Sequence, residues 1–515
     1  MSDILFGQSY YLRFDPKLWN AMQPYPPLGT MIVASYIRQQ GYDVALFDAM
    51  LADSPVEWAA ALDKHHPRIA IIYEDSFNYL SKMCLLNMRQ AAFQMLAMAK
   101  QRGCLTIVCG SDATDHYRQY LQNGADFVIL GEGEETLIEL LAEIRDWKTF
   151  PPPLPRSPIP SLAYHTSNGP IATPRRRPLQ DVDSLPFPAW DLIDVAKYRR
   201  IWQERHGYFS MNMVTTRGCP YHCNWCAKPI WGQRYNSRSP ANVAAEMRWL
   251  KETYQPDHIW FADDIMGLKP GWWAAFADAV VQDDARIPFK CLSRADLLLR
   301  SPEEIAAMRR AGCDIVWIGA ESGSQKILNA MEKGTTVEQI YDAAQRLHEA
   351  GIRVGFFLQF GYPGETREDI ELTLQMVRHC QPDDVGMSVS YPLPGTKFYQ
   401  NVQAQLGDKQ NWADSADLAM LYRGPFSTEF YRQLHTVLHK EFRSRRAWQN
   451  WRAVAAHPRQ WRAGHLRELT ASVYRLATLP LARRKLNQLA AVSHQPIQPP
   501  QHIPLQEAAR PSPQD

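Results

Sequence analysis

Three cysteines, Cys219, Cys223 and Cys226, stand at a C-x3-C-x2-C spacing directly after the strand-like run Asn212 to Thr216. A run this tight at the end of a strand can wrap thiolates around one corner of an iron–sulfur cube. Three thiolates bind three irons, so a [4Fe–4S] cluster held this way keeps an open position on its fourth iron. In a catalytic metal site, substrate or a second cofactor coordinates at such a position. A zinc knuckle is the competing reading of the same thiols. His222 lies within the loop, and no second C-x2-C follows at a ribbon or finger distance, so zinc lacks an evident fourth ligand.

A loop of this kind must be carried on a strand end. Six strand signals recur between residues 211 and 400: Asn212 to Thr216, Ile259 to Asp263, Phe289 to Ser293, Ile315 to Ala320, Val354 to Phe360 and Gly386 to Tyr391. Each ends in polar or glycine residues with a helical segment following, the pattern of an α/β barrel whose chemistry sits on the carboxyl-end face. Six units make a partial barrel. Residues 1 to 146 alternate in the same way, with strands at Ile4 to Gly7, Val44 to Phe47, Arg68 to Tyr73, Leu105 to Cys109 and Phe127 to Leu130, and helices at Leu28 to Gln40 and about Ser81 to Arg102. Five such strands predict a doubly wound domain, in which ligands sit beyond the carboxyl ends at the switch point.

Residues 147–210 read as a linker because Pro151, Pro152, Pro153, Pro155, Pro158 and Pro160 break any periodic pattern. Within it, Leu162 to Tyr164 followed by Asn168-Gly169 predicts a small hairpin. Residues 401–452 read as a helical extension, with Ser427 as an N-cap and His435 and His439 on one helix face as a solvated or packing pair, since no Glu or third ligand accompanies them to bind metal. Residues 453–515 continue as a basic segment and a Pro- and Gln-rich tail expected to be disordered. From Lys440 to Leu486 there are twelve Lys or Arg against two Glu, in a chain whose formal charge is only +2. With Trp448, Trp451, Trp461 and Tyr474 interleaved, this stretch predicts peripheral contact with an anionic membrane surface through 440–486, RNA being the less favoured partner.

Nine cysteines in 515 residues, six of them scattered, make no disulfide framework and fit a reducing cytoplasm. The N-terminus lacks the basic and apolar regions of a secretory signal, and no uncharged apolar run reaches the length of a spanning helix. The expected location is therefore cytoplasmic, with the basic segment at the inner membrane face.

The cysteine spacing, with the aromatic Trp225 just before the last cysteine, resembles the radical S-adenosylmethionine (SAM) superfamily. The resemblance implies a [4Fe–4S] cluster on Cys219, Cys223 and Cys226 whose open iron chelates the amino and carboxylate groups of SAM, with Trp225 beside it. It also implies provisional roles for the strand ends. Asp263 and Asp264 stand where relatives meet the SAM amino group, Ser293 and Arg294 would hold its ribose or carboxylate, and Glu321 would contact the ribose. Gln359, Gly361 and Pro363, in Gln359-Phe360-Gly361-Tyr362-Pro363-Gly364-Glu365-Thr366, would lie near the adenine. Each of these residues also reads as an ordinary helix cap or first-turn group.

Upstream, Pro26-Pro27-Leu28-Gly29, Gly110-Ser111-Asp112 and Gly131-Glu132-Gly133-Glu134-Glu135-Thr136 look like the cobalamin-binding domain that precedes the barrel in one large subfamily. Gly29, Ser76, Gly110, Ser111, Gly131, Glu132 and Gly133 are the candidate cobalamin residues. The D-x-H-x-x-G sequence that supplies an imidazole to cobalt in many such domains is missing, so cobalamin is expected without a protein histidine ligand. The implied fold class is α/β: an N-terminal doubly wound (Rossmann-like) cobalamin-binding domain, a partial (β/α)6 radical SAM barrel and a helical, basic C-terminal region. The run from Trp260 to Tyr399 is most similar to the anaerobic magnesium-protoporphyrin monomethyl ester cyclase branch, which also contains carbon methyltransferases. The implied activity is reductive cleavage of SAM to a 5′-deoxyadenosyl radical and modification of an unactivated carbon, by methyl transfer or oxidative cyclisation, on a small-molecule or lipid substrate. A reducing partner such as flavodoxin or ferredoxin would feed the cluster. An iron–sulfur electron carrier that keeps the barrel without cleaving SAM is the alternative.

Overall fold

The computed structural model of the chain describes residues 2–83, 85–145, 155, 157–226, 230–456 and 463–492, with the side chains of 449–456, 463–469 and 492 excepted. The first sheet contains β1 (Ile4–Gly7), β2 (Val44–Phe47), β3 (Ile69–Tyr73), β4 (Leu105–Cys109), β5 (Phe127–Ile129), β6 (Leu162–Thr166) and β7 (Gly169–Ala172), in the order β2-β1-β3-β4-β5-β6-β7. The first five strands are parallel. Helices cover both faces, so Ile4, Leu5 and Phe6 are all fully buried and the strands read as continuous apolar runs rather than alternating ones. The chain order reverses between β1 and β3, which makes the gap beyond their carboxyl ends the binding crevice of this topology.

Two features depart from the sequence pattern. The hairpin inside the proline-rich segment is β6 and β7, and it pairs antiparallel with β5, so the sheet runs on well past residue 146. The helix expected over 81–102 is two helices, Tyr79–Lys82 and Leu86–Gln101. Leu85 between them is extended, and the Leu86 amide donates to the Trp412 carbonyl at 2.9 Å. A contact more than 300 residues away along the chain thus breaks a helix that local periodicity would have continued.

The second sheet is fully parallel and built from β8 (Ser210–Met213), β11 (His258–Phe261), β12 (Phe289–Ser293), β13 (Cys313–Glu321), β14 (Arg353–Phe360) and β15 (Asp384–Val389), in the order β15-β14-β13-β12-β11-β8. It is a half-barrel with helices outside. Phe261, Phe289, Val316, Ile318, Val354 and Phe356 face those helices at 0% exposure, and the residues between them face the lumen. A separate two-stranded ribbon, β9 (Thr216–Arg217) with β10 (Asn236–Ser237), stands at the top of β8.

The C-terminal region is an antiparallel pair of helices, Thr428–Ala456 and Ala463–Val492. The Phe430 amide donates to Ser427 Oγ at 3.2 Å, so Ser427 caps the first helix. The rings of His435 and His439 lie 4.2 Å apart. Burial holds both neutral, pushing His435 down to about 4 and His439 to about 3, with Lys17 and Arg443 adding to it. Part of the basic excess is spent internally, since Lys440 donates to Thr478 and Glu441 receives both Arg378 and Arg483. No described helix is long and apolar enough to cross a membrane. The tail from His494 onward lies outside the described residues.

Candidate active site

The cysteine loop is an excursion between β9 and β10. It leaves the ribbon at Gly218, whose φ is +78°, and a Cβ there would fall 2.4 Å from the Arg234 carbonyl oxygen. Only glycine meets both conditions. Gly218→Ala is accordingly expected to spring the ribbon and cut the iron bound after anaerobic reconstitution, measured per mole of protein, by several-fold; unchanged iron content would show that the closure is dispensable. The loop's middle is fixed by Asn224, whose Nδ2 donates to the Ala330 carbonyl at 2.8 Å and whose Oδ1 accepts from Tyr362 Oη at 2.9 Å.

Asp263 holds the strand that feeds this loop. Its carboxylate accepts from the Thr215 and Thr216 amides at 2.8 and 2.6 Å and from both hydroxyls, and it is 1% exposed. Burial pushes it up to about 6 against those bonds. Oδ1 accepts three of these bonds and Oδ2 one, so the residue positions the loop. Asp264 pairs with Lys82 of the first domain at 2.7 Å.

Around the loop the other strand ends converge. Arg294, after β12, stacks on Tyr221 at 3.6 Å and places Nη1 3.9 Å from Cys223 Sγ. Its Nη2 donates to the Lys333 carbonyl at 2.8 Å, and Ser293 beside it is buried. Lys333 pairs with Glu321 at 2.8 Å, both side chains nearly closed to solvent. Burial lowers the Lys333 ammonium, but the Glu321 and Cys223 charges more than offset it, so its pKa is raised. Glu321 ends β13 at a bulge and with φ +57°, a conformation that costs a non-glycine residue and turns its side chain toward Lys333. Gln359 donates to Ser390 Oγ at 3.1 Å. Gly361, at φ +80°, donates its amide to Glu365 at 2.7 Å and opens the turn carrying Pro363. Burial pushes Glu365 up to about 8. Trp225 packs with Tyr362, Phe398 and Tyr422, and its indole Nε1 is buried without a partner among the described residues.

The donor set suits a cube. All three thiols are half-buried on one short loop, with the cations Arg294 and Lys333 beside Cys223 to balance thiolate charge. Among the described residues no three Cys, His, Asp or Glu side chains converge on one ion. A cube, with its irons at separate corners, does not ask for that convergence.

The candidate residues of the first domain gather at the carboxyl ends of β3, β4 and β5, facing the barrel. Their local contacts explain most of their chemistry. The Asp75 carboxylate accepts from the Leu28 and Gly29 amides at the N-terminus of helix Leu28–Gln39, and a Cβ on Gly29 would sit 3.2 Å from the Ser76 amide. Gly110, just before Ser111, lies so close to Glu74 that a Cβ would stand 2.7 Å from it. Gly133 is packed as closely against Cys109 and Tyr73, and Gly131, at φ +86°, against Arg175. Glu132 is a correction of another kind. It accepts from Arg217 and from the Leu179 amide, so it joins the two domains rather than pointing at a ligand. Arg217, one residue before Gly218, also pairs with Glu134 at 2.7 Å.

Sequence reasoning did not single out Tyr79. Its surface is 53% open, yet burial raises its phenol, and Cys226, Glu321, Tyr391 and Asp264 raise it further. Tyr79 thus comes from the first domain, on the short helix Tyr79–Lys82, to stand exposed beside the cluster loop and the barrel strand ends.

Residues 213–377 match the Radical SAM superfamily, and residues 19–141 match the B12 binding domain. The chain is 28% identical over 387 residues to an uncharacterized methyltransferase of Pyrococcus horikoshii, across 73% of this chain and 78% of that protein. It is 25% identical over 394 residues to the anaerobic magnesium-protoporphyrin IX monomethyl ester cyclase of Rubrivivax gelatinosus, across 75% of this chain and 67% of that one. Among solved structures, the cobalamin-dependent S-adenosylmethionine radical enzyme OxsB with aqua-cobalamin and S-adenosylmethionine bound aligns with a TM-score of 0.68 at 16% identity, over 93% of this chain and 72% of the other. That likeness speaks for the fold.

Proposed function

Because the chain joins a B12-binding domain to a radical SAM barrel, we propose that it is a cobalamin-dependent radical SAM enzyme that methylates an unactivated carbon of a lipophilic small molecule. The observation that carries this reading is the meeting of the two carboxyl-end faces, where Arg217, just before the cluster loop, pairs with Glu132 and Glu134 of the first domain and Tyr79 stands beside Cys226 and Glu321. When bound, the cluster supplies the electron that cleaves SAM reductively, and cobalamin supplies a methyl-carrying or redox-active cobalt. The chain's own work is positional. Cys219, Cys223 and Cys226 would hold the cube, Arg294 and Lys333 balance its charge, and Glu321 with Arg294 frames the nucleoside side. Arg217 keeps the first domain's strand ends registered over the loop, and the surrounding walls keep bulk water from a radical.

Methyl transfer is preferred because the 28% identical relative is named a methyltransferase. Anaerobic reconstitution with iron, sulfide and hydroxocobalamin, followed by dithionite and SAM, tests it. With a methyl acceptor present the expected products are S-adenosylhomocysteine and 5′-deoxyadenosine in equal amounts; without one, S-adenosylhomocysteine should stop at one per bound cobalamin. Deoxyadenosine without S-adenosylhomocysteine would favour the oxidative or cyclising chemistry, and neither product would leave an electron carrier.

A membrane contact is part of the same reading. Tyr474 and Leu481 are 67% and 68% exposed on one stripe of helix Ala463–Val492, with exposed Arg484 and Lys485 continuing it. Flotation with anionic phosphatidylglycerol vesicles should recover the protein, and Tyr474→Ser with Leu481→Ser should lower recovery several-fold. No flotation with anionic vesicles, or recovery unchanged by the double substitution, would remove this membrane contact from the account.

A further inference from the structure

The half-barrel lumen carries a second polar feature well below the cluster face. Lys290 lies on β12 between Phe289 and Cys291, both fully buried against the outer helices, so its side chain points inward. Its Nζ stands 5.1 Å from the Trp260 ring and 5.3 Å from the Tyr25 ring. Tyr25 comes from the first domain and reaches into the lumen, where its hydroxyl is 2.9 Å from Ser210 Oγ. Higher up, Trp317 and Phe357 stack at 4.6 Å over Gly355 and Gly386, where Cβ atoms would collide with the rings or crowd them. Phe357 keeps 39% of its surface open even though the barrel wraps it. Aromatic rings with one ammonium beneath them thus line the inner wall.

The charged groups facing that ammonium leave it unpaired. Arg353 on β14 is taken by Asp314 on β13, His258 on β11 is neutral beside Ser210, and Asp384 on β15 acts on Lys290 only at a distance. No carboxylate of the described residues lies within ion-pair reach of Nζ. Burial pushes Lys290 down to about 8, partly countered by Asp384 and reinforced by Arg353.

We propose that the lumen binds the body of the substrate, that this body is flat and apolar, and that it carries an anionic group held by Lys290. The proposal rests on the radical SAM reading for its substrate but not for its test. Lys290 is three residues below Ser293, so the anion would sit about 10 Å beneath the strand ends where the reacting carbon must stand. Trp260, Trp317 and Phe357 would face the planar body, and Tyr25 would close it from the first domain's side.

The experiment measures equilibrium binding of 1-pyrenebutyric acid and of the neutral 1-pyrenebutanol to the full-length protein by fluorescence anisotropy. At neutral pH the acid is expected to bind about tenfold more tightly than the alcohol. Lys290→Met should erase that preference while leaving the alcohol's affinity unchanged, which a merely unfolded lumen would not do. Lys290→Arg should keep it. In the native protein the preference should fade as pH rises through about 8, because a lysine whose pKa is lowered loses its charge there, and the arginine variant should hold it beyond that pH. Equal binding of acid and alcohol, a preference that survives Lys290→Met, or binding of neither probe overturns the proposal. None of these readouts needs SAM cleavage, so an enzyme that fails to cleave SAM leaves the anchor standing, and the converse also holds.

Discussion

Protein in which Cys219, Cys223 and Cys226 are all alanine is expected to take up no cluster and to form no 5′-deoxyadenosine. Each single variant should lose SAM cleavage by more than about 100-fold, beyond the 10–100-fold typical of removing an outer-shell partner of a metal ligand. Among the described residues the other thiols are poorly placed to take over. Cys104, Cys109, Cys291, Cys313 and Cys380 are buried in the two sheets and their helices. Burial pushes the Cys380 thiol up to about 12 and raises Cys104, Cys109 and Cys313 as well, so these stay protonated where a ligand must be thiolate. Visible absorption, iron and sulfide content and product assays check the expectation. A cluster that survives the triple substitution, or zinc in its place, would remove the foundation of the proposed function.

How much of this was legible follows from the range of each interaction. The cysteine loop and the six strand ends announce themselves locally, because thiol spacing and hydrophobic period are properties of neighbouring residues. The converging roles of Arg294, Glu321 and the Gly361 turn came from resemblance, and the structure brings them together around the loop. The loop-holding role of Asp263 is not legible in sequence, because a carboxylate after a strand looks the same whether or not it binds the chain's own amides, and only the Thr215–Thr216 contacts reveal it. The helix break at Met83–Leu85 was invisible because its cause is the Trp412 carbonyl. Tyr79 carries no signal in sequence for the same reason: its place beside the cluster loop depends on that break. Lys290 reads in sequence as an unremarked polar residue in a strand, and acquires meaning only when Tyr25 and Trp260 are found around it.

The clamp between the domains supplies the second large effect. Arg217 meets Glu132 and Glu134 with all three side chains nearly closed to solvent, although the partners lie more than 80 residues apart. Burial lowers the guanidinium, but Glu134 and Glu132 outweigh it, so Arg217 stays charged. For Glu132, burial raises the carboxyl, with Arg217 pulling it down less than burial pushes it up. Arg217→Met removes the only counter-charge that pairs with these carboxylates among the described residues while leaving them buried, which costs about 3–5 kcal/mol. For a domain of this size that is a fall in Tm of about 10 °C. The sign with pH is fixed by the raised carboxyl: a group whose folded pKa lies above its unfolded value stabilises fully below the latter and loses that contribution as pH rises through the former. The variant's deficit should therefore be smallest near pH 5, where the freed carboxyls can protonate, and grow toward pH 8. Adding Glu132→Gln and Glu134→Gln should recover most of the melting temperature but not the registration of the two domains. SAM cleavage, which needs only the barrel, should then persist while S-adenosylhomocysteine formation, which needs both domains, falls. A single Arg217→Met variant that melts within about 2 °C of the native protein at pH 8, or a triple variant that keeps both products in their native ratio, would mean that the domains are held together elsewhere.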